Sequence, residues 1–432
     1  GPDAGLGTAA ASPAPYNAST AQEAATSLVR LLMEQMGFGP DDIAPGAVAR
    51  PTSRRVRRGG PRTYRGRAVT DAAIPLEAGE AEEGGVAMRP LVRAVLRGSL
   101  RQVRYVDVIA PHRARGLVAQ VYRATERDFG VLAPPVALHS PAAASLAATW
   151  LMLREVLLVD GRVSRAVKET VATAVSRAND CPYCVHVHQA VLGTLPPDRT
   201  VSPVAEWAAA AGRHHPGDPA GSAPPPFTEA QLPELCGVVV TFHYINRMVS
   251  VFLADSPMPA LTPAPLRAPI MRTTALAMRP VTPGPMAPGA SLDLLPAAPL
   301  PPGLEWALGS PPVAEAFGRA FAAVDQGARW VPVPVRERLR SRLDRWDGSA
   351  PGLGRAWLDE AVSALPPEDV PAARLVLLTA FAPYQTLPED VAAFRVRFPT
   401  DRELVELTSW AALTTAVRIG GRLLPSRPAR PA

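Results

Sequence analysis

The chain is poor in several residue types. Its 432 residues include three cysteines, a single lysine (Lys168) among a positive charge otherwise carried by arginine, and only 6% aromatics. Three cysteines are too few for a disulfide-stapled secreted scaffold, so a closely spaced pair points to redox chemistry or metal binding. No run approaches ~18 consecutive apolar residues, and no charged-then-apolar signal pattern opens the chain. Those absences predict a soluble, cytoplasmic protein with no membrane partner. Alternating β-branched runs are also scarce, which argues against a strand-rich fold.

What is present is a core-forming composition with 47% apolar residues, a net charge of +6 and fifty prolines. The basic run "RPTSRRVRRGGPRTYRGR" (50–67) is followed by the acidic run "LEAGEAEEGG" (76–85). No aromatic platform, zinc-finger spacing or amphipathic basic helix accompanies the arginines, so they read as a solvated arm and no nucleic-acid partner is expected. Beyond residue 88, "MRPLVRAVLRGSLRQVRYV", "ARGLVAQVYRATERDFG" and "SPAAASLAATWLMLREVLL" carry apolar residues at three- and four-residue spacing between Pro, Gly and Ser-Pro breaks. The expected class is all-α.

Four segments follow. Residues 1–87 are a partly disordered extension with one helical pattern, "TAQEAATSLVRLLMEQMGF"; 88–255 form a first lobe; 256–304 are a Pro-rich connection across the surface, since proline breaks helices; and 305–425 form a second lobe. The second lobe is a worn copy of the first. "SPPVAEAFGRAFAAVD" echoes "SPAAASLAATWLMLRE", "DEAVSAL" echoes "HQAVLGT", and "RELVELTSWAALTTAVRIG" echoes "PELCGVVVTFHYINRMV". The offset stays near ~170 residues, so two tandem lobes in pseudo-symmetric packing are expected.

Two of the three cysteines fall in "NDCPYCVHVHQ" (179–189). Asn179 and Asp180 offer turn and cap chemistry, and Pro182 suits a first helical turn, so a helix starts at the cysteines, after one over "VSRAVKETVATAVSRAND". A helix N-terminus stabilises a thiolate. At about 100° per residue, Cys181, Cys184 and His188 project within an arc of about 60°, while His186 points elsewhere. Glu169 lies in the preceding helix, and antiparallel packing would bring its carboxylate to that face. Carboxylate, imidazole and thiol in contact form a proton relay, and a second cysteine closes the adduct as a disulfide. A zinc site from Cys181, Cys184, His188 and Glu169 is the minor alternative. Cys236, in "LPELCGVVVTF", reads as core.

Glu, eleven residues, Cys-x-x-Cys, three residues, His resembles the pattern of the AhpD-like superfamily, which groups alkylhydroperoxidase D with the carboxymuconolactone decarboxylases. "KETVATAVSRANDCPYCVHVHQAVL" is similar to it at every functional position, and the close resemblance covers roughly 90–255. The resemblance implies an all-α AhpD-like fold, usually a homo-oligomer, and a thiol-dependent alkylhydroperoxidase or disulfide reductase acting on a peroxide or small organic substrate. It makes Cys184 the attacking thiol, Cys181 the resolving thiol, and His188 with Glu169 the relay. Its reductant would be a dithiol such as a lipoyl protein or a thioredoxin-like donor, with no cofactor and no metal. Members that decarboxylate generally lack the cysteine pair, so its presence favours redox chemistry. The alternative is the same fold turned to cofactor-independent lyase, isomerase or tailoring chemistry with acid–base cysteines.

Tyr183, His243, Tyr244, Asn246 and Arg247 are candidate pocket residues, the last four because the corresponding family helix packs beside the active site. Tyr183 stands where some peroxidases of the family carry histidine. In the second copy the motif is lost: Arg340 falls near the glutamate, Gly352 and Arg355 near the cysteines, and Asp359 near the histidine.

Overall fold

Apolar repeats broken every ten to twenty residues by proline or glycine dictate short helices, and helices are the only regular elements among the described residues. The protein is seen in a computed structural model that describes residues 99–198, 201–212, 225–258, 262, 264–281 and 284–423. The helical pattern near residues 20–38 and the basic run lie outside the described residues.

Among the described residues fourteen α-helices follow in order: α1 (Gly116–Asp128), α2 (Pro134–Ala137), α3 (Ala143–Leu153), α4 (Arg165–Ala178), α5 (Pro182–Leu192), α6 (Val201–Ala210), α7 (Leu232–Phe252), α8 (Ala264–Ala277), α9 (Pro311–Gly327), α10 (Val333–Arg345), α11 (Ala356–Val362), α12 (Val370–Phe381), α13 (Pro388–Arg395) and α14 (Asp401–Gly420). The elements on either side of the Pro-rich connection correspond. α3, α4, α5, α6 and α7 are matched by α9, α10, α11, α12 and α14, each starting about 170 residues later. Moreover, α3 packs along α9 and α7 along α14, so two of the three segments that echo in the sequence lie against their own counterparts. Such self-pairing is what a two-fold relation between copies requires.

α7 runs through the middle and nearly all of it is buried. By length and hydropathy it resembles a membrane span, the only such helix among the described residues, but 94% of its apolar window is covered by the rest of the protein. Burial on all sides accounts for its apolar sequence. Tyr244 points from α7 into the junction between the lobes, its hydroxyl between Thr149 Oγ1 (3.1 Å) and Ser409 Oγ (3.3 Å).

The Pro-rich stretch is more ordered than its composition predicts. It contains α8, with Pro269 inside the helix, and α8 packs on α5. A proline costs one ladder bond, and packing on a neighbouring helix offsets that loss. From residue 284 on, the stretch is a strap with one 3-10 turn (Leu292–Leu294): Ser291 Oγ accepts from Trp150 Nε1 (3.3 Å), and the Leu295 carbonyl accepts from Arg319 (2.6 Å). The strap crosses α9 at Gly318, where a Cβ would stand 2.5 Å from the Ala298 carbonyl oxygen.

Candidate active site

α4 starts at Ser164, whose hydroxyl accepts from the Val167 N–H, and ends at Asn179. Asp180 then takes a left-handed conformation (φ 48°), reversing the chain so that Cys181 becomes the N-cap of α5 and Pro182 fills its first turn. The cap therefore falls on Cys181, one residue after the Asn179–Asp180 pair. It places a sulfur atom at the helix start itself.

The antiparallel packing of α4 on α5 brings the acid to the imidazole. Glu169 is fully buried and its Oε2 lies 2.6 Å from His188 Nδ1, while Oε1 receives Arg165 at 2.6 Å. Burial alone would raise the Glu169 carboxyl, but Arg165 and His188 outweigh it and hold the group below its ordinary value. An ionised Glu169 accepts from Nδ1–H, which leaves the His188 Nε2 lone pair as a base. The ring is held edge-on against Phe242, with centroids 4.7 Å apart. His186 is exposed, as its off-face position requires.

All three cysteines are free and buried. The Cys184 thiol, opposed by burial and assisted by the Cys184 backbone N–H and the Ser250 hydroxyl, pulls Cys181 below the usual thiol value. Burial, reinforced by the Cys181 sulfur, pushes Cys184 well above it, with Asn246 in partial opposition. The pair is thus asymmetric: Cys181 is the acidic member and Cys184 keeps its proton unless a base removes it. Cys236, fully buried in α7, is pushed up by burial and touches none of this. Nor do the four motif side chains form a cluster that could hold a metal ion, and no other group among the described residues does.

Beside the motif lies a cavity of about 300 Å³ between the two lobes. The first lobe contributes Ala178–Asp180, Ala209, Gly212 and His243, Asn246 and Arg247 of α7; the second contributes Trp346, Gly348–Ala350, Phe381, Pro383 and Tyr384. Asn246 links cavity to motif: it interacts with Cys184, accepts from Asn179 Nδ2 (2.9 Å) and donates to Ser176 Oγ (3.1 Å). Of the five expected pocket residues, His243, Asn246 and Arg247 line this cavity. Tyr244 and Tyr183 do not. Tyr244 faces the lobe junction because it is one residue, about 100° of helix, from His243, and Tyr183 is buried on α5.

Trp346, Ser349, Phe381 and Tyr384 went unrecognised in the sequence, since they sit in the lobe that lost the motif. There, Arg355 pairs with Asp390 (2.7 Å), Asp359 pairs with Arg374 (2.5 Å), and Arg340 is exposed.

Residues 144–212 match the carboxymuconolactone decarboxylase family. The chain is also 36% identical over 337 residues, 74% of its length and 95% of the other's, to a protein of Mycobacterium tuberculosis (strain ATCC 25618 / H37Rv) named alkyl hydroperoxide reductase Rv2159c. The chain belongs to the carboxymuconolactone decarboxylase family, within the AhpD-like superfamily. The family match spans α3 to the end of α6, which includes every residue of the Glu-Cys-Cys-His motif, while the similarity to Rv2159c extends well beyond it.

Proposed function

We propose that this AhpD-like protein is a thiol peroxidase that reduces an organic hydroperoxide at Cys184 and Cys181. The observation that carries the reading is the buried 2.6 Å contact between Glu169 and His188, one helical turn from a cysteine that needs a base. The name of the Mycobacterium tuberculosis relative supports the same chemistry.

His188 Nε2 takes the Cys184 proton, and the sulfur attacks the distal peroxide oxygen. An S–O bond forms, the O–O bond breaks, and the alkoxide leaves as an alcohol with the proton from His188. Cys181, already the more acidic thiol, then attacks Cys184 as a thiolate. An S–S bond forms and the S–O bond breaks, and the hydroxide leaves as water with the proton that Cys181 gave up. A dithiol of the lipoyl or thioredoxin-like type returns the two electrons.

Titration of free thiols tests this. One equivalent of cumene hydroperoxide should remove two thiols per chain, reversibly with a dithiol, and Cys184→Ser should abolish peroxide turnover. Glu169→Gln should slow thiol loss by about 10²–10⁴-fold, the usual worth of a positioned acid–base group. Turnover unaltered in Cys184→Ser would overturn the assignment.

A further inference from the structure

α7 carries a cation with no counter-ion among the described residues. Arg247 is 7% exposed, and among the described residues no carboxylate pairs with it. Its Nε donates to the Ala380 carbonyl (3.0 Å) and its Nη1 to the His243 carbonyl (2.8 Å). Nη2 has no partner among the described residues. Nη2 is therefore the one guanidinium edge left to face the cavity that Arg247 lines, where an anion would complete it.

The neighbouring imidazole adds a second donor. Arg247 Nη1 lies 3.4 Å from His243 Nδ1, which makes Nδ1 the acceptor and leaves the proton on Nε2. His243 is 2% exposed and its Nε2 is a buried polar atom without a partner. Gly212, another lining residue, leaves room over that ring: a Cβ there would come within 3.1 Å of His243 Cε1. Burial and the charge of Arg247 both hold His243 well below its ordinary value, so it is neutral and Arg247 supplies the only buried charge of the pair. Asp180, the one acidic residue among the described residues lining the cavity, is exposed.

We propose that the interlobe cavity binds a monocarboxylate with an apolar body, its carboxylate on Arg247 and His243 and its body against Trp346, Phe381 and Tyr384 of the second lobe. One unpaired cation balances one negative charge, whereas a phosphate dianion would leave a surplus charge buried. The aromatic wall provides the rest of the recognition. Because Asn246 joins the cavity to Cys184, the bound acid is the substrate, a carboxylate-bearing organic hydroperoxide; that last step rests on the peroxidase reading above, the binding site does not.

Isothermal titration calorimetry of the full reduced chain with 4-isopropylbenzoate and with its neutral amide tests the site. The acid should bind at least tenfold more tightly than the amide, Arg247→Gln should remove that preference, and Gly212→Val should weaken both ligands. Equal affinities in the wild-type chain overturn the proposal even if Arg247→Gln does not fold. Cys184→Ser should bind the acid like wild type, which separates binding from chemistry. With hydroperoxides, the 4-carboxy derivative of cumene hydroperoxide should show a KM at least tenfold below that of cumene hydroperoxide, with similar kcat. Tight binding of the acid with equal KM values would overturn the substrate assignment alone, and absence of thiol loss with either hydroperoxide would sink the peroxidase reading while leaving the site.

Discussion

Asp180 illustrates how one residue positions the chemistry. Its positive φ turns α4 into α5 within two residues and delivers Cys181 to the helix start. Aspartate tolerates that conformation and β-branched residues do not. Asp180→Val should therefore cost about 1–2 kcal/mol in chemical denaturation, and Asp180→Gly much less. A second residue-scale prediction concerns His139, which is fully buried, carries an unpartnered Nε2 and is pulled down to about 4 by burial. Its folded-state pKa is depressed, so its contribution is complete above the unfolded value of about 6.5 and is lost as pH falls toward 4. Thermal melts should show an acid-side loss of up to about 3 kcal/mol across that window, reduced in His139→Gln.

At the scale of elements, the entry to α4 is tied to α7 by a buried pair. Lys168 Nζ lies 2.6 Å from Glu234 Oε2 and donates to the Val159 carbonyl (2.8 Å), while Glu234 Oε1 accepts from the Arg162 N–H (2.7 Å). The single lysine of the chain thus pins the helix that presents Glu169, one residue later. Removing one member leaves the other charged and desolvated, so Lys168→Met should cost about 3–5 kcal/mol, read as a shift in denaturation midpoint. The cap of α5, by contrast, has no side-chain oxygen, only the Cys181 sulfur beside the Cys184 N–H. Its geometry comes from the turn before it and from α8 packed outside it.

On the scale of the whole molecule, the second lobe has lost the motif and kept the packing. The loop between α10 and α11 faces the cavity as its counterpart between α4 and α5 does, but it presents Trp346 and Ser349 instead of cysteine neighbours. Arg247 is anchored on the Ala380 carbonyl of α12, and Tyr244 on Ser409 of α14. The first lobe alone would expose the apolar sides of α3 and α7 that now meet α9 and α14. A fragment of residues 99–258 should accordingly be helical by far-UV circular dichroism yet bind ANS and melt without a cooperative transition. A sharp melt of that fragment would mean that the lobes fold independently.

The class of fold, the duplication and the four-residue motif were legible in the sequence because each rests on local periodicity or fixed spacing. Glu169, Cys181, Cys184 and His188 lie on two successive helices, so their approach follows from helix geometry and one short turn. The Pro-rich stretch misled because composition registers the cost of a proline and not the packing that offsets it, and α8 is the result. The cavity was beyond reach for the same kind of reason: its aromatic wall comes from residues well over a hundred positions away in the chain, and which of His243, Tyr244, Asn246 and Arg247 face it depends on how α7 is rotated against α12 and α14. Spacing along a chain determines which side chains share a helix face; only the burial of that face against another element decides which charge is left without a partner.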